Sequence, residues 1–189
     1  MRILVVVDMQ NDFIAGALEN PDAEKIIPKV VAKIKEYAVD PEAKIYFTMD
    51  THQANTYADT IEGKKLPVSH CIDGTPGWEI IPEITEIAEL KTSTRYSVVV
   101  KPTFGSIDLG LRVKDSVTDE CSIEVIGLCT DICVISNALL LKAFLPNIPI
   151  TVDAACCAGV TPESHDNALN AMKMCHIDVI NQGEEPWRK

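Results

Sequence analysis

The chain has 189 residues, 47% hydrophobic content and a formal net charge of −11, which suits one compact domain over residues 1–189 and excludes a disordered, repetitive or low-complexity protein. The charge repels phosphate backbones and anionic bilayers, so neither nucleic acid nor membrane is expected as a partner. Seven cysteines, an apolar N-terminal run too short for a leader and no run of membrane-spanning length predict a cytoplasmic protein with free, mostly buried thiols.

The first apolar run, Ile3–Val7, predicts a buried strand that delivers Asp8, followed by Met9-Gln10-Asn11-Asp12-Phe13. Ala23–Tyr37 then places Ile26, Ile27, Val30, Ile34 and Tyr37 at helical spacing, and Pro28 predicts a regular helix that starts late, with the proline in its first turn. A second strand, Ile45–Met49, leads into Asp50-Thr51-His52. The stretch from Asp50 to Trp78 is polar, lacks periodicity and carries Glu62 and His70; so long an irregular segment is more often functional than idle. A third strand, Val98–Lys101, ends in Lys101. The fourth, Ser122–Gly127, runs into Leu128-Cys129-Thr130-Asp131-Ile132-Cys133-Val134 and a helix over Asp131–Leu145. Strands at Pro149–Asp153 and Ile177–Ile180 flank a helix with Thr161 as N-cap, Pro162 in the first position and Glu163 in the first turn.

Strands alternating with helices predict a three-layer α/β/α domain around a mainly parallel sheet, Rossmann-like in winding. Ligands bind such sheets at the carboxyl ends of the strands. Asp8, Asp50, Lys101 and Cys133 all follow strands, so a parallel sheet would gather them on one rim. Cys133 at a helix start can be pulled toward a thiolate, Asp8 can exchange its proton, and Lys101 can hold both anions. Composition alone favours an ordinary ion pair of Asp8 and Lys101 beside a core cysteine. Asp50-x-His52 in extended chain points both side chains one way. With His70, and with Glu62 as a candidate fourth ligand, the set suits zinc, with manganese or iron as alternatives. A pair of plain surface histidines fits the same spacing. His165 reads as a packing or capping residue and Cys156-Cys157 as core. There is no Cys-x-x-Cys and no glycine-rich phosphate loop.

Five segments in order resemble the isochorismatase-like cysteine hydrolases and, within them, the nicotinamidase/pyrazinamidase branch. They are Val7–Phe13, Asp50–His52, His70–Gly77, Lys101 and Gly127–Val134. The resemblance implies a triad of Asp8 as general base and acid, Lys101 as charged partner and Cys133 as nucleophile, with the amides of Cys129 and Cys133 as oxyanion hole. It also implies a cis peptide at Leu128–Cys129, a metal on Asp50, His52 and His70 with Glu62 as fourth ligand, and Phe13 against the substrate. The implied reaction converts nicotinamide to nicotinate and ammonia through a thioester, in a homo-oligomer acting on a small-molecule amide. A ureido or carbamoyl compound cleaved by the same triad, or a metal- or ligand-binding protein that kept the fold without the activity, are the alternatives. Three positions depart from the branch: Thr51 stands where Trp is common, Thr56 where a further His is common, and Leu66-Pro67 where Trp is frequent. These departures weaken the substrate assignment and leave the reaction type intact.

Overall fold

The computed structural model describes residues 1–87, 95–118 and 120–188. Its sheet has six parallel strands: β1 (Arg2–Val7), β2 (Lys44–Asp50), β3 (Tyr96–Lys101), β4 (Ser122–Leu128), β5 (Ile150–Ala158) and β6 (Asp178–Ile180). They lie in the order β3-β2-β1-β4-β5-β6. The seven α-helices are α1 (Asn11–Ile14), α2 (Pro21–Ala38), α3 (Ile61–Lys65), α4 (Pro82–Thr85), α5 (Ile107–Ser116), α6 (Ile135–Phe144) and α7 (Pro162–Met174), counted among the described residues. No described helix is long and apolar enough to cross a membrane.

The two faces of β1 show why the strand runs are continuously apolar. Leu4 and Val6 pack under α2 and α4, while Ile3, Val5 and Val7 pack under α5, α6 and α7. Side chains alternate across a strand, so a sheet covered on both faces needs apolar residues at every position. This is the expected three-layer α/β/α arrangement.

Three elements differ from the sequence reading. Helix α2 begins at Pro21, capped by the Asn20 side chain, which accepts from the Asp22 amide at 2.9 Å. Pro28 is therefore inside the helix, not in its first turn. It lies on the exposed face, where the carbonyl it leaves free meets water, while Ala23, Ile26, Val30, Ile34 and Tyr37 hold the buried stripe. Strand β5 runs on to Ala158, well past the expected end at Asp153. From Val152 to Cys157 it bulges against β4, which advances only from Val125 to Gly127. Helix α5 has no counterpart in the sequence reading, because Gly110 interrupts its apolar spacing. The glycine is there for close approach: a Cβ would sit 2.5 Å from the Phe144 ring of α6.

Another glycine fixes the centre of the sheet. Gly127 has φ +114°, and an added Cβ would lie 2.1 Å from the Val7 carbonyl oxygen. Gly127→Ala combines backbone strain with a clash against β1, and should destabilise the fold by about 3 kcal/mol or more. Urea denaturation of the variant beside the parent checks this.

Candidate active site

The parallel sheet gathers the strand-end residues on one rim, as expected. Asp8 turns off β1 with φ +47°, a conformation uncommon for a residue with a Cβ and concentrated at functional sites. Its fully buried carboxylate accepts from Thr48 Oγ1 at 2.6 Å, and its Oδ2 lies 2.7 Å from Lys101 Nζ. Oδ2 meets no donor at a proper hydrogen-bonding angle, so that ammonium is a close charge and not an aligned bond. From the same buried position Lys101 Nζ reaches Cys133 Sγ at 3.4 Å and Asp50 Oδ1 at 3.5 Å.

Burial works against the Lys101 charge, but Asp8, Cys133 and Asp50 outweigh it and raise its pKa, so the side chain stays an ammonium. Burial pushes the Asp8 carboxyl above the usual range, against the pull of Lys101. Burial and the Asp8 charge push the Cys133 thiol well above its ordinary value. The pull toward a thiolate expected from the helix start is thus outweighed: a helix end is worth about 0.3–1 kcal/mol, less than removing a thiolate from water. The resting pair is a thiol beside a proton-avid carboxylate.

Cys133 rides on a π-helical turn, Thr130–Val134, inserted between β4 and α6. The sequence reading took this stretch as the start of an ordinary helix. The Leu128–Cys129 peptide is trans, and no described peptide is cis. The expected cis bond is corrected: Gly127 takes up the change of direction, and a trans bond avoids the roughly 2.5–4 kcal/mol of a non-proline cis peptide. Cys129 follows the strand in extended conformation and lines the same cleft as Cys133.

The second constellation also assembles. One donor atom each from Asp50, His52, Glu62 and His70 lies within 4.8 Å of the others. Asp50 Oδ2 is 3.1 Å from His52 Nε2 and 3.4 Å from His70 Nε2, and Glu62 Oε1 is 3.6 Å from both rings. Burial raises Asp50, but hydrogen bonds from His52 and His70 outweigh it and hold the carboxyl below its ordinary range. His70 Nδ1 donates to the Val68 carbonyl at 2.9 Å, so the neutral ring would present its Nε2 lone pair to a cation bound in the cluster. That is the orientation a metal-binding imidazole needs. Two imidazoles and two carboxylates converging on one point fit a borderline divalent cation.

Several supports were not singled out in the sequence. Gln10 donates to the carbonyls of Asp50 (2.9 Å) and Trp78 (2.7 Å) and accepts from the Asp50 amide at 2.7 Å. Asp12 accepts from the Cys71 amide at 2.7 Å, beside His70. Both lie in the Val7–Phe13 motif, so the signal was present. Tyr57 has no motif to announce it. Its ring stands 4.9 Å from His52 and 5.4 Å from His70, next to the exposed Thr56 that departs from the branch pattern. Thr51 also finds a role, accepting from the Trp78 indole at 2.7 Å. Asn137 accepts from the Ser106 amide and donates to the carbonyls of Cys133 and Phe104, tying the turn that carries Cys133 to α5.

His165 is more than packing. It is fully buried, with Nδ1 2.8 Å from Thr130 Oγ1 on the π turn and Nε2 3.2 Å from Glu185, which also pairs with Arg188. Cys156 and Cys157 are buried core, as read.

Both constellations open on one cavity of ≈ 860 Å³, lined among others by Phe13, Asp50, Glu62, His70, Cys129 and Cys133. With this geometry in place, the isochorismatase domain profile matches residues 2–184 of the chain. The chain belongs to the isochorismatase family. Among relatives of this family, the nicotinamidase/pyrazinamidase of Mycobacterium tuberculosis is 24% identical over 95% of this chain and 98% of its own length. Among solved structures, the nicotinamidase/pyrazinamidase of Bacillus subtilis superposes with a TM-score of 0.80 at 26% identity, covering 94% of this chain and 98% of its own. The pyrazinamidase of Pyrococcus horikoshii in complex with zinc gives 0.75 at 26% identity, covering 95% and 98%.

Two stability predictions follow from the supports. Asn137→Ala strands the buried Ser106 amide and should cost about 1–3 kcal/mol in urea unfolding. Burial holds the His165 pKa below its ordinary 6.5, so the folded state favours the neutral ring. That contribution is complete above the unfolded-state pKa and is lost as pH falls below it. The urea midpoint should drop between about pH 7 and pH 5, and drop less in His165→Gln.

Proposed function

We propose that this isochorismatase-family chain is a cysteine-dependent amidohydrolase, with nicotinamide hydrolysis to nicotinate and ammonia as its first candidate reaction. The observation that carries the reading is the buried ammonium of Lys101, which contacts Asp8 together with Cys133 and Asp50, the last two in the lining of one cavity. An ordinary structural ion pair has no reason to hold a thiol at a cleft wall beside four metal-binding side chains. The named activities of the relatives support hydrolysis of a linear amide.

In this reading Asp8 accepts the Cys133 proton as the sulfur adds to the amide carbonyl. Lys101 keeps the exchange of charge between carboxylate and thiolate compensated within one buried cluster. The backbone amides of Cys129 and Cys133 are the proposed oxyanion donors. The C–N bond breaks as Asp8 returns the proton to the leaving amine. Asp8 then takes a proton from water as it hydrolyses the thioester. Asp50, His52, His70 and Glu62 would hold a divalent cation, zinc first on the donor set and on the Pyrococcus horikoshii complex, with manganese or iron as alternatives. When bound, such an ion supplies a Lewis acid for a ring nitrogen. Phe13, whose ring stands 5.8 Å from His70, would pack beside the bound substrate.

Ammonia release from nicotinamide by the metal-loaded protein tests the reading. Cys133→Ala should lower kcat/KM by about 10³-fold or more, and chelation should abolish the remaining turnover of the parent. Turnover intact in Cys133→Ala sinks the mechanism. A bound metal and an intact Cys133 with no ammonia released would move the assignment to a ureido or carbamoyl amide. Because Asp8 must be ionised to act and burial raises its pKa, the acid limb of the pH–kcat/KM profile should lie above the ordinary Asp value of 3.8. Asp8→Asn should remove that limb together with the activity.

A further inference from the structure

The cavity is longer than a one-ring amide requires. Along the rim, Asp50 ends β2, Asp8 follows β1, Cys129 and Cys133 follow β4, and Val160 follows β5. Asp50, Cys133 and Val160 all line the same cavity of ≈ 860 Å³. At about 4.8 Å per strand, β2 to β4 spans roughly 10 Å and β2 to β5 roughly 14 Å. A single heteroaromatic ring held at the His52–His70 cluster with its carboxamide carbon at Cys133 is used up between β2 and β4. The volume agrees, because clefts of about 300–1,000 Å³ enclose drug-sized ligands, and this one sits near the top of that range.

What lies beyond Cys133 is mainly apolar and open, with Glu19 and Asn20 beside the apolar residues. Ile132 precedes the nucleophile, Leu18 comes from the α1–α2 connection, and Val160 is 60% exposed. Phe104, 44% exposed, forms part of the same lining. The backbone here is fixed: the Val160 amide donates to Asp131, and Asn20 Nδ2 donates to the Gly159 carbonyl. The patch is therefore a held surface continuous with the nucleophile.

Resting on the proposed cysteine hydrolase reading, we propose that the preferred substrate is an N-substituted carboxamide whose leaving amine carries an apolar group, seated against Leu18, Ile132 and Val160. With the metal-facing part of the acyl group on the β2 side and the carbonyl at Cys133, the substituent that points on toward β5 is the one on nitrogen. The step balances as before. The Cys133 S–C bond forms, the C–N bond breaks, and the amine departs with the proton held by Asp8. Water then adds to the thioester, the S–C bond breaks, and a carboxylic acid is released with a primary amine in place of ammonia.

The test compares nicotinamide with N-butyl- and N-benzylnicotinamide on the metal-loaded protein, reading acid release by chromatography. The N-substituted amides should show kcat/KM about tenfold or more above nicotinamide. Val160→Trp should raise their KM by about tenfold and lower their kcat/KM relative to nicotinamide. Light scattering is run on both proteins. Nicotinamide cleaved as well as or better than the N-substituted amides overturns the inference and leaves the hydrolase reading standing. A Val160→Trp variant that changes oligomeric state but not the N-substituted KM also overturns it, and assigns the patch to contact between copies. No cleavage of any of the three amides sinks the reading on which the inference rests.

Discussion

The site depends on one cation. Lys101 is buried on an edge strand, and an ammonium there is tolerable only because three groups face it. The strand pairing supplies two of them: β3 lies beside β2 with Lys101 opposite Asp50, and β1 lies on the other side of β2 and presents Asp8. Removing the Asp8 carboxylate would leave that buried ammonium poorly compensated, which costs more than the pair contributes. The register of three strands and the charges around the Cys133 thiol are therefore one constraint.

The same cation joins the two halves of the site. It is 3.5 Å from the Asp50 carboxylate that belongs to the four-donor cluster and 3.4 Å from the thiol that lies outside it. A change of charge among the four donors is felt at the sulfur through Lys101. Burial sharpens this, since neither water nor salt screens groups held at such depth. The aromatic ring of Tyr57 and the amide of Gln10 keep the donor cluster from relaxing toward solvent.

Much of this was legible in the sequence, because the parallel strands are continuously apolar and each chemical residue follows one of them. Asp8, Asp50, Lys101 and Cys133 could be placed on one rim by topology alone. What was not legible depends on contacts between distant segments. Gly110 hides α5, because its close packing against Phe144 cannot be read from spacing. Pro28 misplaced the start of α2, because Asn20 and Pro21 already supply a cap and a first position. The cis peptide was a feature of the resemblance that this chain does not share. His165 reads as a bland buried imidazole until Thr130 and Glu185 are seen at its two nitrogens.

That last contact has a consequence in time. The turn carrying Cys133 is braced by His165, and His165 is braced by Glu185 and, through it, Arg188, near the end of the sequence given. Strands β1 to β4 and the four-donor cluster are all specified before residue 130, so a growing chain can pair them early. The brace behind Cys133 cannot close before residues 185–188 have been made, so a chain that stops short of them has Asp8, Lys101 and Cys133 but lacks the Glu185 and Arg188 contacts behind the Thr130–Val134 turn.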